Sequence, residues 1–174
     1  LPFRVVTSQM AEEGFGGKAA LRSCLLAEKK ALQVFRRGGF AWTLGADTVV
    51  VIGRRILGKP ENRDEATEML STLSGRKHRV VTGFCILDPS GRVAHSQAVT
   101  TVVRIKPLTP EEIHGYIDTG EPYGKAGSYA IQGIGSFMVE GISGSYTNVV
   151  GLPLCALIRA LVSLGALQRF PLPP

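Results

Sequence analysis

The chain alternates short apolar runs with polar, glycine-marked breaks, and the period of each run names its element. Val49-Val50-Val51-Ile52 is β-branched throughout, which predicts a strand covered on both faces. Leu44-Gly45-Ala46-Asp47-Thr48 leads into it, and Gly53-Arg54 separates it from the return arm Arg55-Ile56-Leu57-Gly58-Lys59-Pro60. A hairpin turning at Gly53 follows. Upstream, a short strand is predicted over Phe3 to Val6, and a helix from about Lys18 to Arg36. Leu21, Leu25, Leu32 and Phe35 mark that helix's apolar stripe, Lys29 and Lys30 lie off it, and Gly38-Gly39 ends it.

Downstream, Asn62 and Glu65 are spaced as an N-cap and its capping-box partner, with Ala66, Met69, Leu70 and Leu73 on the buried face. Gly75 stops this helix. A strand from Val80 to Leu87, a turn over Asp88-Pro89-Ser90-Gly91 and a second strand from Val93 to about Ile105 come next. Thr109-Pro110-Glu111-Glu112 opens a further helix that ends near Gly120. From Glu121 to Gly151 the chain is dense in glycine and in lysine, tyrosine, glutamine and asparagine, a composition that lets backbone approach a ligand and offers donors to it. A last apolar helix runs from Pro153 to about Leu164. The order predicts an α/β fold, one mixed domain with helices packed on a sheet, with no repeat and no linker.

With 174 residues, 44% hydrophobic and 20% charged, the chain has the make-up of an ordinary globular protein with one substantial core. No apolar run approaches a membrane span. Three widely spaced cysteines, Cys24, Cys85 and Cys155, form neither a metal pattern nor a disulfide framework, which predicts a cytoplasmic setting. A net charge of +6 suits an anionic ligand, and the scattered basic residues argue against nucleic acid.

The spacing excludes several chemistries. There is no Gly-x-x-x-x-Gly-Lys-Ser/Thr loop, no dinucleotide-type glycine fingerprint and no Gly-x-Ser-x-Gly nucleophile turn. His78, His95 and His114 are not spaced as metal ligands, and His78 reads as a strand-end residue. What remains is carboxylates, lysines and a hard metal ion. Asp47 sits at the head of a buried strand, where a carboxylate needs a cation, a metal or donors, and the hairpin can return Lys59 towards it. From the residues alone two readings stand: a site for metal-assisted phosphate chemistry, or a strand-end aspartate with a solvated lysine.

Five segments, met in order, carry a resemblance. They are Gly45-Ala46-Asp47-Thr48-Val49-Val50, Gly58-Lys59-Pro60, Leu73-Ser74-Gly75-Arg76-Lys77-His78-Arg79-Val80-Val81-Thr82-Gly83, Glu121-Pro122-Tyr123-Gly124-Lys125-Ala126-Gly127-Ser128-Tyr129-Ala130-Ile131-Gln132-Gly133, and Asn148-Val149-Val150-Gly151-Leu152-Pro153-Leu154. Together they closely resemble the Maf family of nucleoside triphosphate pyrophosphatases, over essentially the whole chain. The resemblance implies an elongated mixed sheet flanked by helices with a central cleft, like that of the inosine triphosphatase group. It implies cleavage between the α and β phosphates with a divalent cation, magnesium or manganese, and a homodimer. It assigns Asp47 as general base and metal ligand, Glu12 as a second metal ligand, and Lys30, Lys59, Lys125 and Gln132 to substrate binding. Lys125, Gln132 and Ser145-Tyr146-Thr147-Asn148 resemble the branch associated with dTTP, UTP and modified pyrimidine nucleotides, rather than the 7-methyl-GTP branch.

The family's opening Ser-x-Ser-Pro-Arg-Arg segment has no counterpart here, and residue 1 is leucine. The resemblance therefore implies a domain truncated at its N-terminus. Two hypotheses stand: a metal-dependent pyrophosphatase, and an inactive or truncated relative that binds nucleotide or a partner without turnover.

Overall fold

The computed structural model describes residues 3–8, 18–38 and 41–171. The elements are α1 (Ala19–Phe35), β1 (Thr43–Ile52), β2 (Arg55–Leu57), α2 (Arg63–Leu73), β3 (Lys77–Leu87), β4 (Val93–Ile105), α3 (Pro110–Asp118), β5 (Val139–Ser143), α4 (Tyr146–Val150) and α5 (Leu154–Ser163). Two 3-10 turns, Ala126–Ser128 and Ile134–Met138, lie between α3 and β5. The sheet has five strands in the order β2-β1-β3-β4-β5, and helices complete the α/β fold. β1 and β2 pair antiparallel, with Ile52 opposite Arg55 across Gly53-Arg54, as the hairpin reading requires. β4 and β5 also pair antiparallel, with a bulge between Arg104 and Ile105. Among the described residues no helix is long and apolar enough to cross a membrane.

The chain divides into two compact units, and β1, β3 and β4 contribute residues to both. The first unit holds the described parts of Leu1–Asp47 and Leu152–Pro174, with Thr82–Val99. Alternate residues of β3 sort its core. Cys85 and Leu87 pack with Ala27 and Ala31 of α1, while Phe84 and Ile86 pack with Leu157 and Ala160 of α5. The two helices therefore cover opposite faces of the strand. The second unit, Thr48–Val81 and Thr100–Gly151, has one core in which Val50, Ile52, Leu57, Val80, Val103 and Ile105 of the sheet meet α2, α3 and the loop after α3. Each large apolar side chain buried this way contributes about 1.5–3 kcal/mol.

Local signals placed most ends correctly. Asn62 caps α2 by accepting from the Glu65 amide at 2.9 Å, and Thr109 with Glu112 forms a full capping box on α3 behind Pro110. Ala66, Leu70 and Leu73 are buried as expected.

Three local expectations change. Glu65 does not close the box on its own N-cap; its Oε2 accepts from the Glu61 amide at 2.9 Å, one residue earlier. Phe3 to Val6 is not a strand: the segment is irregular, with Phe3 and Val5 exposed, and an extended segment joins a sheet only where its backbone finds a partner. On α1 the buried residues are Ser23, Leu26, Ala27 and Ala31, whereas Leu21 and Leu25 face solvent at 59% and 39% exposure. Leu32 and Phe35 do pack against the core. The reason is close approach. A Cβ at Gly45 of β1 would lie 2.1 Å from the Ala27 carbonyl oxygen, and one at Gly83 of β3 would lie 2.3 Å from the Ser23 carbonyl carbon. Helix and strands meet backbone to backbone, so small residues form the contact and leucines are turned away.

Candidate active site

The same close approach builds the charged pair of the first unit. Asp47 lies two residues beyond Gly45 on β1, so both project to the face that α1 covers. Lys30 belongs to the α1 turn, Ala27 to Ala31, that rests on Gly45. Its ammonium donates to Asp47 Oδ1 at 2.6 Å. The side chains retain only 18% and 4% of their exposure. A carboxylate so buried loses its hydration, and a charge-assisted contact to an ammonium compensates for the loss. Lys30, which the resemblance assigns to substrate binding and which lies off the sequence's apolar stripe, is thus paired with Asp47 in the first unit.

Lys59 and Lys125 belong to the second unit, on two segments whose backbones meet there. The Gly127 amide donates to the Gly58 carbonyl at 2.8 Å, linking Gly58-Lys59-Pro60 to Lys125-Ala126-Gly127. Gly127 has φ +72° and sits on Val50, with a would-be Cβ only 3.0 Å from both valine methyls, so glycine is required on two counts. Both lysines and Gln132 are exposed. Tyr116 and Glu121 fix the loop that carries Gln132. The Ala130 amide donates to the Tyr116 hydroxyl at 3.1 Å, and the amides of Ile134 and Gly135 donate to the Glu121 carboxylate at 3.0 and 2.7 Å. Burial pushes the Glu121 carboxyl up, but its hydrogen bonds from Gly135, Tyr116 and Ile134 outweigh this and hold it below the ordinary carboxylate range.

Two further polar residues of this unit make buried contacts. Asn148 is buried and donates through Nδ2 to the Val80 carbonyl and to Thr101 Oγ1, at 3.1 and 3.0 Å. The loop asparagine expected to offer donors to a ligand therefore spends these bonds on β3 and β4. His78, in β3, is buried and meets the Tyr129 hydroxyl through Nε2 at 2.7 Å. Nothing in the local sequence announced this pair, because the two residues are far apart in the chain. Glu12 lies outside the described residues.

A family model described as Maf-like protein matches residues 1–164. The chain belongs to the Maf family. It is 49% identical over 176 aligned residues to the dTTP/UTP pyrophosphatase of Syntrophotalea carbinolica, an alignment covering 98% of this chain and 79% of that one. It is 47% identical to the dTTP/UTP pyrophosphatase of Geobacter metallireducens, over 96% of this chain and 88% of that one. To the dTTP/UTP pyrophosphatase of Thermococcus kodakarensis it is 46% identical, over 94% and 86% respectively. The Maf membership and the mixed α/β fold agree with the five-segment resemblance.

Among the described residues of this Maf-family chain, no group of three or more histidine, cysteine, aspartate or glutamate side chains could by itself hold a metal ion. Asp47 is a hard oxygen donor.

Proposed function

We propose that the protein hydrolyses pyrimidine nucleoside triphosphates, dTTP and UTP foremost, to the monophosphate and pyrophosphate. The observation that carries this reading is the buried Asp47–Lys30 contact, 2.6 Å long, inside the Gly45-Ala46-Asp47-Thr48 segment of a chain nearly half identical to dTTP/UTP pyrophosphatases.

Asp47 accepts a proton from water, and the water oxygen bonds to the α phosphorus. The bond from that phosphorus to the bridging oxygen breaks, and pyrophosphate leaves with the electron pair. Lys30 keeps Asp47 ionised and fixes its orientation, as a base oriented by a partner must be. Lys59 and Lys125 offset triphosphate charge, and the Gln132 amide offers both a donor and an acceptor to the nucleotide. Asp47, with Glu12, would hold the divalent cation, which when bound neutralises charge on the phosphate oxygens.

Product analysis tests the reaction. With dTTP and magnesium or manganese, ion-exchange chromatography should show dTMP and pyrophosphate in equal amounts. Formation of dTDP and phosphate, or no turnover of dTTP and UTP, would reject it.

A further inference from the structure

The segment between α3 and β5 carries Lys125 and Gln132 but has no ladder or long helix to hold it. Its backbone enters the left-handed region at Gly124, Gly127 and Gly133, and also at Ser128, which has a Cβ and φ 62°. Such a conformation persists only where the surroundings over-determine it, and it is a mark of functional segments. Ser128 is fully buried, with its Oγ 3.1 Å from Met69 Sδ. The next residue, Tyr129, reaches across to β3 and meets His78 Nε2 at 2.7 Å, its ring edge-on to the imidazole at 5.4 Å.

Packing alone does not explain the imidazole. His78 is 2% exposed and Tyr129 5%. Burial lowers His78 to about 4, so at neutral pH it carries one N–H and one bare nitrogen. Its Nδ1 has no hydrogen-bond partner among the described residues. Either tautomer leaves that atom unmet, a cost an aliphatic side chain would avoid. The contact made by Nε2 is what the histidine contributes.

We propose that His78 and Tyr129 are positioning residues: their hydrogen bond latches the strained loop to β3 and so sets where Lys125 and Gln132 stand to receive an anionic pyrimidine nucleotide. This rests on the function proposed above. The latch adds no charge and touches no reacting atom, so its loss weakens substrate binding and leaves the chemical step alone.

The test is steady-state kinetics on dTTP with manganese for wild type, Tyr129→Phe, His78→Leu, His78→Gln and the Tyr129→Phe/His78→Leu double variant, with melting curves alongside. Tyr129→Phe and His78→Leu should each raise KM about 5- to 10-fold, the span of one lost hydrogen bond, with kcat within about twofold. The double variant should be no worse than the poorer single, and His78→Gln, which keeps a polar partner, should recover part of the loss. Unchanged KM in Tyr129→Phe, a fall in kcat at constant KM, or additive single effects would overturn the latch. Should His78→Leu fail to fold, Tyr129→Phe decides, since it removes one oxygen only. Wild-type protein that turns over neither dTTP nor UTP would overturn the reading beneath the latch and the latch with it. Wild-type turnover with unaltered variants would overturn the latch alone.

Discussion

Lys30 and Asp47 meet because a helix lies on a strand, whereas the segments that carry Lys59 and Lys125 are joined because two loops share a hydrogen bond. In the first unit the backbone contacts at Gly45 and Gly83 set the geometry, and the charged pair is nearly sealed from water. In the second, exposed side chains ride on loops held at separate points by Gly58, Tyr116, Glu121 and His78. The difference teaches what each half can tolerate. A contact between regular elements fails as a whole, and a loop pinned at several points fails by degrees. Damage to the first unit should therefore appear in stability and kcat, and damage to the second mainly in KM.

The largest expected effect is at Lys30. Lys30→Met removes the 2.6 Å ammonium contact from a buried carboxylate, which should cost about 3–5 kcal/mol in a urea titration and lower kcat with it. Next comes the pH dependence of the second unit. His78 titrates at about 4 in the folded protein against 6.5 unfolded, so the unfolded chain takes up the proton first. Its contribution is complete above the unfolded value and is lost as pH falls towards the folded one, on the order of 3 kcal/mol in all. Denaturation at pH 7 and pH 5 should show roughly half of that loss for wild type and a flatter response for His78→Gln. The carboxyls of Glu112 and Glu121, both lowered from 4.5, act only below that window.

Gly45→Ala should destabilise by about 1–3 kcal/mol, because the added methyl meets the Ala27 carbonyl. Lys125→Ala should raise the KM for dTTP about tenfold with kcat nearly unchanged, the value of one hydrogen bond to a charged group. A fall in kcat of similar size would erase the proposed division between the two units. The smallest effect is at Gly58: Gly58→Ala, where a Cβ meets nothing within 4 Å, should change stability by no more than about 0.5 kcal/mol.

Signals that act over a few residues were legible in the sequence. The β-branched run at Val49–Ile52, the turn at Gly53, the Asn62 cap and the Thr109 box all stand where their local chemistry puts them. The segment resemblance singled out Asp47 and Lys30 separately, one as base and one for substrate binding, and their contact emerged only with the fold. The buried face of α1 was not legible, because Leu21 and Leu25 keep a helical period while Gly45 and Gly83, distant in the chain, select Ser23, Ala27 and Ala31 instead. His78 and Tyr129 were opaque for the same reason: their meeting depends on a loop path set by positive φ at Gly127 and Ser128, which no local pattern predicts.

The role of Asp47 is tested most directly by pyrophosphate release from dTTP by wild type and Asp47→Asn, side by side at saturating substrate and manganese. The amide keeps the shape of the side chain and removes its capacity to take a proton from water. Turnover should fall about 100- to 10,000-fold while the variant melts as a folded protein. Release by Asp47→Asn within a few-fold of wild type would contradict the account, because the proton would then be leaving the water by another route.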